Sequence, residues 1–256
     1  PPSEGLPPAG RECAVTLTEP RWDVARAALA DMVEALPAVQ RPVADCDRLV
    51  LARDLLALCA LPSFDTSAMD GWAVSGSGPW AVVGASLAGR PVPGPLVAGQ
   101  AVVIATGGVV PAGADGVIRS EDGEVRDRDG VEVVFAPAPE GATHVRPAGE
   151  ECAAGEVLAV AGTVLTPALL GLAAAAGHDT LHVFPRPRAA LVLFGDELAT
   201  SGVPEHGRVR DSLGPQVPAW LERLDVDVVA VEFAADTMAA HVEAMRRAAQ
   251  LADLVL

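Results

Sequence analysis

No lysine, tyrosine or asparagine occurs anywhere in this chain of 256 residues. Every fixed side-chain cation is therefore an arginine. An anionic ligand has only arginine, backbone N–H groups, helix N-termini or a bound metal ion to meet it. The missing residue types, beside abundant Ala, Gly, Pro and Arg, read as coding bias from a GC-rich genome rather than as function. A net charge of −16 argues against nucleic acid as a partner, because phosphate binding needs clustered Lys and Arg. Cysteine is sparse: Cys13, Cys46, Cys59 and Cys152 form no C-x-x-C pair and have no companion histidine at zinc spacing. Reduced, mostly structural thiols in a cytoplasmic protein are expected. His144, His178, His182, His206 and His241 are scattered and read as structural or exposed. Long apolar runs are missing too. Arg53, Asp54 and Pro62 interrupt the leucine-rich stretch near residue 55, so no membrane span is expected. Pro1-Pro2-Ser3-Glu4 lacks the charged and apolar regions of a signal peptide. It also lacks methionine, so a start upstream of Pro1 is expected.

What the chain does have is hydrophobic residues, 50% of the total, enough for a sizeable core in two or three domains. Against that background the stretch Ser63-Phe64-Asp65-Thr66-Ser67-Ala68-Met69-Asp70-Gly71-Trp72-Ala73-Val74 stands out. Two carboxylates five residues apart sit in a loop of small and hydroxylated residues, with an apolar run directly after. A loop that holds a cation or an oxyanion-bearing ligand needs such ordered polarity. The same residues also suit a plain turn, with Asp65 capping and Asp70-Gly71 as the turn dipeptide.

Residues 1–20 are Pro/Gly-rich and expected to be poorly ordered. Asp23 can cap a helix with apolar positions Val24, Ala28, Leu29, Met32, Val33 and Leu36. A second apolar segment, Leu49 to Leu61, leads into the polar loop. From Trp80 to Phe135 short Val-rich runs broken by Gly and Pro predict a small all-β domain, with Glu121 to Asp129 as an exposed hairpin tip. Thr166-Pro167 opens a helix over Ala168–Ala176, and Gly177 closes it. From Arg188 the pattern alternates: strands Ala189–Phe194, Val226–Glu232 and Leu251–Leu256, with helices Leu213–Arg223 and Thr237–Ala249 between them. That is the first half of a doubly wound α/β sheet.

Gly195-Asp196-Glu197 falls where the first of those strands ends, the place where open parallel sheets bind ligands. Asp211-Ser212 precedes the next helix and either caps it or stands beside an anion at its N-terminus. Thr106-Gly107-Gly108 ends a β-run. It is either a hairpin turn or a place where backbone N–H groups and a hydroxyl approach an oxyanion. Glu150 and Glu151, taken alone, read as solvated surface charge.

Four of these segments, in order, resemble the signatures of the molybdopterin molybdenumtransferases, the MoeA-like proteins and the gephyrin E-domain. They are Phe64-Asp65 with Ser67-Ala68-Met69-Asp70-Gly71, Thr106-Gly107-Gly108 with Pro111 to Asp115, Gly149-Glu150-Glu151, and Gly195-Asp196-Glu197-Leu198. The resemblance runs from about Trp22 to the last residue. It implies an α/β plus β fold: a small β-domain over 61–154 inserted into an elongated helical linker domain of 22–60 and 155–186. A doubly wound α/β molybdopterin-binding domain follows over 187–256, of which only the first half lies within this chain. It further implies a cytoplasmic homodimer with its cleft between subunits, and insertion of molybdate into adenylylated molybdopterin with Mg²⁺-dependent release of AMP. Other cofactor-biosynthesis proteins are the partners it suggests.

Carried over position by position, Asp70, Thr106, Glu151 and Glu197 become the catalytic residues, with Asp70, Glu151 and Glu197 as metal ligands. Gly107, Gly108, Gly195, Asp196, Asp211 and Ser212 become cofactor-binding residues. Thr106 and the Gly107-Gly108 amides would contact oxyanions, and Asp196 and Ser212 the nucleotide side. The chain departs from the family at Phe194, where a hydroxyl residue is usual, and at Leu213, where an amide is usual. Glu151 replaces Asp, and Gly108 replaces Ala. Those departures keep a second function in view, a non-catalytic molybdopterin-binding or scaffolding homologue.

Overall fold

The computed structural model describes residues 21–256. The expected poor order of residues 1–20, and Cys13 with them, lies outside the described residues. The chain divides into two units, Pro1–Pro37 and Ala38–Leu256. In the first, helix α1 (Trp22–Met32) has Arg21, not Asp23, at its N-cap. Trp22 already has helical backbone, so Asp23 falls in the first turn, where it accepts a hydrogen bond from Arg21 Nε at 3.1 Å. Its charge there suits the positive end of the helix.

The second unit opens with three short strands, β1 (Val39–Pro42), β2 (Val50–Leu51) and β3 (Leu55–Leu56). The apolar run from Leu49 to Leu61 thus folds as two strands. Eight strands follow: β4 (Thr66–Ser67), β5 (Gly71–Val74), β6 (Trp80–Ser86), β7 (Gln100–Ile104), β8 (Gly116–Arg119), β9 (Glu124–Arg128), β10 (Val131–Phe135) and β11 (Val145–Arg146). The chain then returns through β12 (Val157–Ala159), helix α2 (Pro167–Ala175) and β13 (Thr180–Phe184). β13 lies antiparallel between β1 and β2, and β12 pairs with β3. Cys46, Leu51, Leu55, Leu165, Ala173, Leu181 and Val183 fill the core between these pieces. Helix α2 has the ends its sequence calls for. Thr166 Oγ1 accepts from Leu169 N at 3.3 Å, Pro167 takes the first helical position, and Gly177 follows with φ +98°.

Strands β5 to β10 form one mixed six-stranded sheet in the order β8-β5-β7-β6-β10-β9. Both faces of β5, β7 and β8 are packed, which gives these strands their near-continuous apolar character. Ala73, Val102, Ile104 and Val117 gather on one face; Val74, Trp80, Ala101, Ile118 and Val134 on the other. The expected hairpin tip is instead edge strand β9, paired in full register with β10. All its residues are exposed, so backbone pairing alone makes it a strand and no apolar period marks it.

The last segment runs β14 (Arg188–Phe194), β15 (Leu198–Ala199), β16 (Val209–Arg210), α3 (Leu213–Arg223), β17 (Asp227–Ala234), α4 (Met238–Leu251) and β18 (Leu254–Val255). β14 lies between β17 and β18, parallel to both. Ala190 and Val192 of β14 pack on Ala244 and Ala248 of α4. Leu193, one residue along, lies by Gly214 at the start of α3, so helices cover both faces. Helix α4 continues to Leu251, which cuts the expected last strand to two residues. No helix among the described residues is long and apolar enough to cross a membrane.

Candidate functional site

The loop Ser63–Asp70 is held by its own small residues. Ser67 donates its hydroxyl to Met69 O at 2.6 Å, and Ala68 N donates to His144 O at 2.8 Å. At Gly71 the chain turns into β5 with φ +154°, and a Cβ added there would stand 1.9 Å from Ile118 O. Only glycine permits that approach of β5 to β8. It leaves Asp70 immediately before β5, facing the loop after β7. There Asp70 Oδ1 accepts the Thr106 N–H at 2.7 Å and the Thr106 hydroxyl at 3.0 Å. The backbone bond, then the hydroxyl bond, holds the Asp70 carboxyl below the usual carboxylate range.

Thr106 has one hydroxyl proton, and Asp70 takes it. The expectation that Gly107 and Gly108 amides meet an oxyanion is also corrected. Gly107 N donates to Ser67 O and Gly108 N to Ala105 O, both at 2.8 Å, while Ser67 N returns a bond to Gly108 O at 3.0 Å. Those amides close the two loops on each other, so Thr106 and its glycines position Asp70.

The third motif joins the same place. β11 pairs with β4, with Arg146 opposite Thr66. Asp65 Oδ1 accepts the Ala148 N–H at 2.8 Å, so this carboxylate is a long-range tether and not a local turn cap. Arg146 ion-pairs with Glu150 at 2.7 Å and also with Glu151. Both acidic residues are therefore partnered, and the carboxylate pair raises the Arg146 guanidinium pKa. Sequence reasoning missed Arg146; its position four residues before Glu150 was the available signal.

The fourth motif lies at the carboxyl end of β14. Gly195 has φ +135°, and a Cβ there would meet Glu197 Oε2 at 2.9 Å, because the Glu197 carboxylate folds back over the glycine. Asp196 Oδ1 accepts the Asp236 N–H at 3.3 Å, which ties this loop to the one after β17. His241 Nε2 stands 3.1 Å from Asp236 Oδ1, an ion pair whenever the ring is protonated. The His241 ring also packs on Phe194, centroids 3.9 Å apart. The Phe194 ring thus goes to the α4 side with Ala190 and Val192. Asp236 is a further residue the sequence reading missed, with Asp236-Thr237 ahead of α4 as the only signal, whereas the sequence reads His241 as structural or exposed.

Of the two readings of Asp211-Ser212, capping describes the geometry. Asp211 is buried and its Oδ1 accepts from Gly214 N at 2.9 Å, whereas Ser212 makes no capping bond. A Cβ on Gly214 would lie 2.1 Å from Asp211 Oδ2. Gly214→Ala is therefore expected to push the carboxylate out of its cap. The loss should be about 1–2 kcal/mol, and Asp211→Ala should lose a similar amount, both read by urea denaturation. The double variant should lose no more than either alone.

Among the described residues no three His, Cys, Asp or Glu side chains gather where one metal ion could sit. Asp70 stands by Thr106, Glu151 by Arg146, and Glu197 by Gly195. Mg²⁺ commonly takes only one or two protein carboxylates and completes its shell with substrate phosphates and water. Asp70, whose Oδ2 is outside the Thr106 bonds, and Glu197 at a strand end fit that donor chemistry. Glu151, held by Arg146, fits it less well.

A mixed sheet carrying these loops, with a parallel α/β sheet after it, defines the class, and comparison with known proteins agrees. Residues 21–177 match the family model of the MoeA N-terminal region, domains I and II. That is more than half of the chain, and the chain belongs to this family. Molybdopterin molybdenumtransferase 2 of Mycobacterium tuberculosis is 34% identical over 241 residues, which is 89% of this chain and 58% of that protein. The molybdopterin molybdenumtransferase of Synechococcus elongatus is 34% identical over 222 residues, covering 81% of this chain and 54% of its own length. The crystal structure of the molybdopterin biosynthesis MoeA protein from Pyrococcus horikoshii superposes with a TM-score of 0.73 at 24% identity. It covers 89% of this chain and 60% of that one, and it shows a shared fold. The chain spans a little over half the length of the curated relatives it matches.

Proposed function

We propose that this chain acts in molybdenum cofactor biosynthesis as a molybdopterin molybdenumtransferase. Its substrates are molybdate and adenylylated molybdopterin. The two dithiolate sulfurs bond to molybdenum as two molybdate oxygens leave as water, and one water cleaves the phosphoanhydride with release of AMP. The observation that carries the reading is the convergence of three motifs, Asp65–Gly71, Thr106–Gly108 and Arg146–Glu151, on one set of hydrogen-bonded loops. In this reading Asp70 is the reacting carboxylate, positioned by Thr106. Arg146 is the fixed cation of that loop cluster, paired with Glu150 and Glu151, and it holds the third motif in place. Gly195, Asp196 and Glu197, at the carboxyl end of β14, take the nucleotide side. Mg²⁺ bound by Asp70 or Glu197 would supply a Lewis acid that neutralises phosphate and molybdate charge.

The same reading makes the segments 22–60 and 155–186 one elongated linker domain and 61–154 an inserted β-domain. It makes the protein a cytoplasmic homodimer in which Asp70 of one subunit serves the strand-end loop of the other, with other cofactor-biosynthesis proteins as transient partners. The test is AMP release from adenylylated molybdopterin by the native protein, with Mg²⁺ and with or without molybdate. Molybdate-dependent release is expected. Saturable binding with no release would leave a non-catalytic molybdopterin-binding homologue.

A further inference from the structure

The α/β segment from Arg188 onward is joined to the sheets before it by one short stretch, Phe184-Pro185-Arg186-Pro187. Its prolines fix φ and donate no N–H, and each holds the residue before it in extended backbone. The stretch is a stiff arm with freedom at its ends. The apolar cores stop at the same boundary, with Leu181 and Val183 in one and Ala190 and Val192 in another. Bodies with separate cores move against each other unless their interface holds them.

What holds these two is a cluster of charges. Among the described residues, a single hydrogen bond crosses directly from the chain up to Phe184 to the chain from Arg188 onward. Arg48 Nη2 donates it to Asp225 Oδ2 at 3.0 Å, across 177 positions. Arg186, on the arm itself, adds to it. Its Nη2 lies 3.5 Å from Asp225 Oδ1 and donates to Asp47 O at 3.4 Å. Its Nη1 lies 3.9 Å from Asp227 Oδ1. Asp225 thus sits between an arginine of the β1–β2 connection and one of the arm. Arg48 and Asp225 stand at φ +62° and +59°, left-handed backbone that a non-glycine residue keeps where its surroundings fix it. The fit is incomplete, because Arg186 Nε and Asp225 Oδ1 are buried with no hydrogen-bond partner. Unpaired buried atoms cost free energy, so the closed joint is not a deep well.

The joint lies at the amino end of the β14–β17 pair, where Arg188 is opposite Asp227. The Gly195-Asp196-Glu197 loop lies at the other end, just past Phe194 opposite Ala234. A strand as long as β14 spans roughly 23 Å, so a turn of about 10° at the joint carries that loop roughly 4 Å. We propose that Arg48, Asp225 and Arg186 form an ion-pair latch that sets the angle of the α/β segment, and that releasing it lets the segment swing on the Pro185–Pro187 arm. The strand-end loop travels with the segment whatever ligand it takes, so the latch is independent of the transferase reading. The three side chains are between 30 and 52% exposed, so salt reaches the latch and screens it.

The test is the distance between two nitroxide labels on the native protein, read by pulsed electron resonance. The labels are carried by a ketone-bearing amino acid, which leaves the cysteines unmodified. One replaces Ala168 on α2 and the other Gln250 on α4, both exposed. One narrow distance is expected at about 0.01 M salt, where the Debye length is about 30 Å. A second, swung population is expected at about 1 M, where that length is about 3 Å. Asp225→Asn should raise the swung population at least about threefold at low salt and make it insensitive to salt, as loss of a partly exposed ion pair predicts. Asparagine tolerates left-handed backbone, so the turn should keep its shape. Arg48→Gln leaves Arg186 beside Asp225 and should release the segment less. A second label pair at Ala219 and Gln250, both within the α/β segment, should hold one distance throughout. Identical distributions in the unsubstituted protein and Asp225→Asn would overturn the latch. Broadening of the Ala219–Gln250 pair would overturn it too, since the segment would then be unfolding locally and not swinging.

Discussion

Replacing Asp70 by alanine is expected to lower molybdate-dependent AMP release at least about a hundredfold, since even the outer partners of a metal ligand cost 10- to 100-fold. Asp70→Asn separates charge from shape. The amide oxygen still accepts both Thr106 bonds, so the loop stays in place while the negative charge goes. A near-wild-type rate in Asp70→Asn would remove the carboxylate from the mechanism. Thr106→Val tests the positioning role. It deletes the hydroxyl bond to Oδ1 at 3.0 Å and keeps the backbone bond at 2.7 Å. Those bonds hold the Asp70 carboxyl below its usual range, so removing the second lets it rise part of the way back. The acidic limb of the pH–rate profile should therefore move to higher pH, with a smaller loss at the optimum than in Asp70→Ala. The same sign applies to stability. A depressed carboxyl stabilises the fold above its unfolded pKa, and that contribution fades as pH falls through the folded value. A pH profile unmoved by Thr106→Val would mean that Asp70 is not the group titrating on that limb.

The parts of the fold that sequence reveals are those set by local physics. Helix α2 has its Thr166 cap, Pro167 and Gly177, and α3 runs Leu213–Arg223 as its pattern predicts. β14 is a continuous apolar run because both faces are covered. The parts that stay hidden are set by pairing over distance. Strand β9 has only exposed side chains, and β4 and β11 are two residues each, so no period exists to be read. The site divides in the same way. Asp70 and Thr106 are legible as motif residues, yet nothing local says that the Thr106 hydroxyl is spent on Asp70, or that the Gly107 and Gly108 amides close the loop. The Asp65–Ala148 bond spans 83 residues and has no sequence signature at all. Nor does local pattern show that the Phe194 ring goes to α4 and His241. That placement weakens the case that this departure blocks a ligand.

Gly71→Ala should be the most damaging single methyl group in the molecule. Two effects combine there. The φ of +154° is a region that L side chains rarely adopt, a strain of order 1–3 kcal/mol by itself. The added Cβ would also stand 1.9 Å from Ile118 O and 2.9 Å from Ser120 N, both backbone atoms of the neighbouring strand and its turn. Backbone cannot swing aside as a flexible side chain can. Relief requires breaking the β5–β8 pairing, which runs from Gly71–Arg119 to Val74–Gly116. That pairing also carries the Ser120 N to Asp70 O bond at 2.9 Å, so Asp70 should lose its place along with the sheet edge. A loss of roughly 4 kcal/mol or more is expected, in the exceptional range for a point substitution, together with loss of AMP release. Gly107→Ala supplies the control. Its φ of +76° is also positive, but a Cβ there meets nothing within 4 Å. It should cost only about 1 kcal/mol of left-handed strain and leave the Asp70–Thr106 bonds in place. Urea denaturation of the two variants decides between clash and strain. Equal losses would mean that φ alone governs Gly71, and that β8 yields to the methyl group without opening the site.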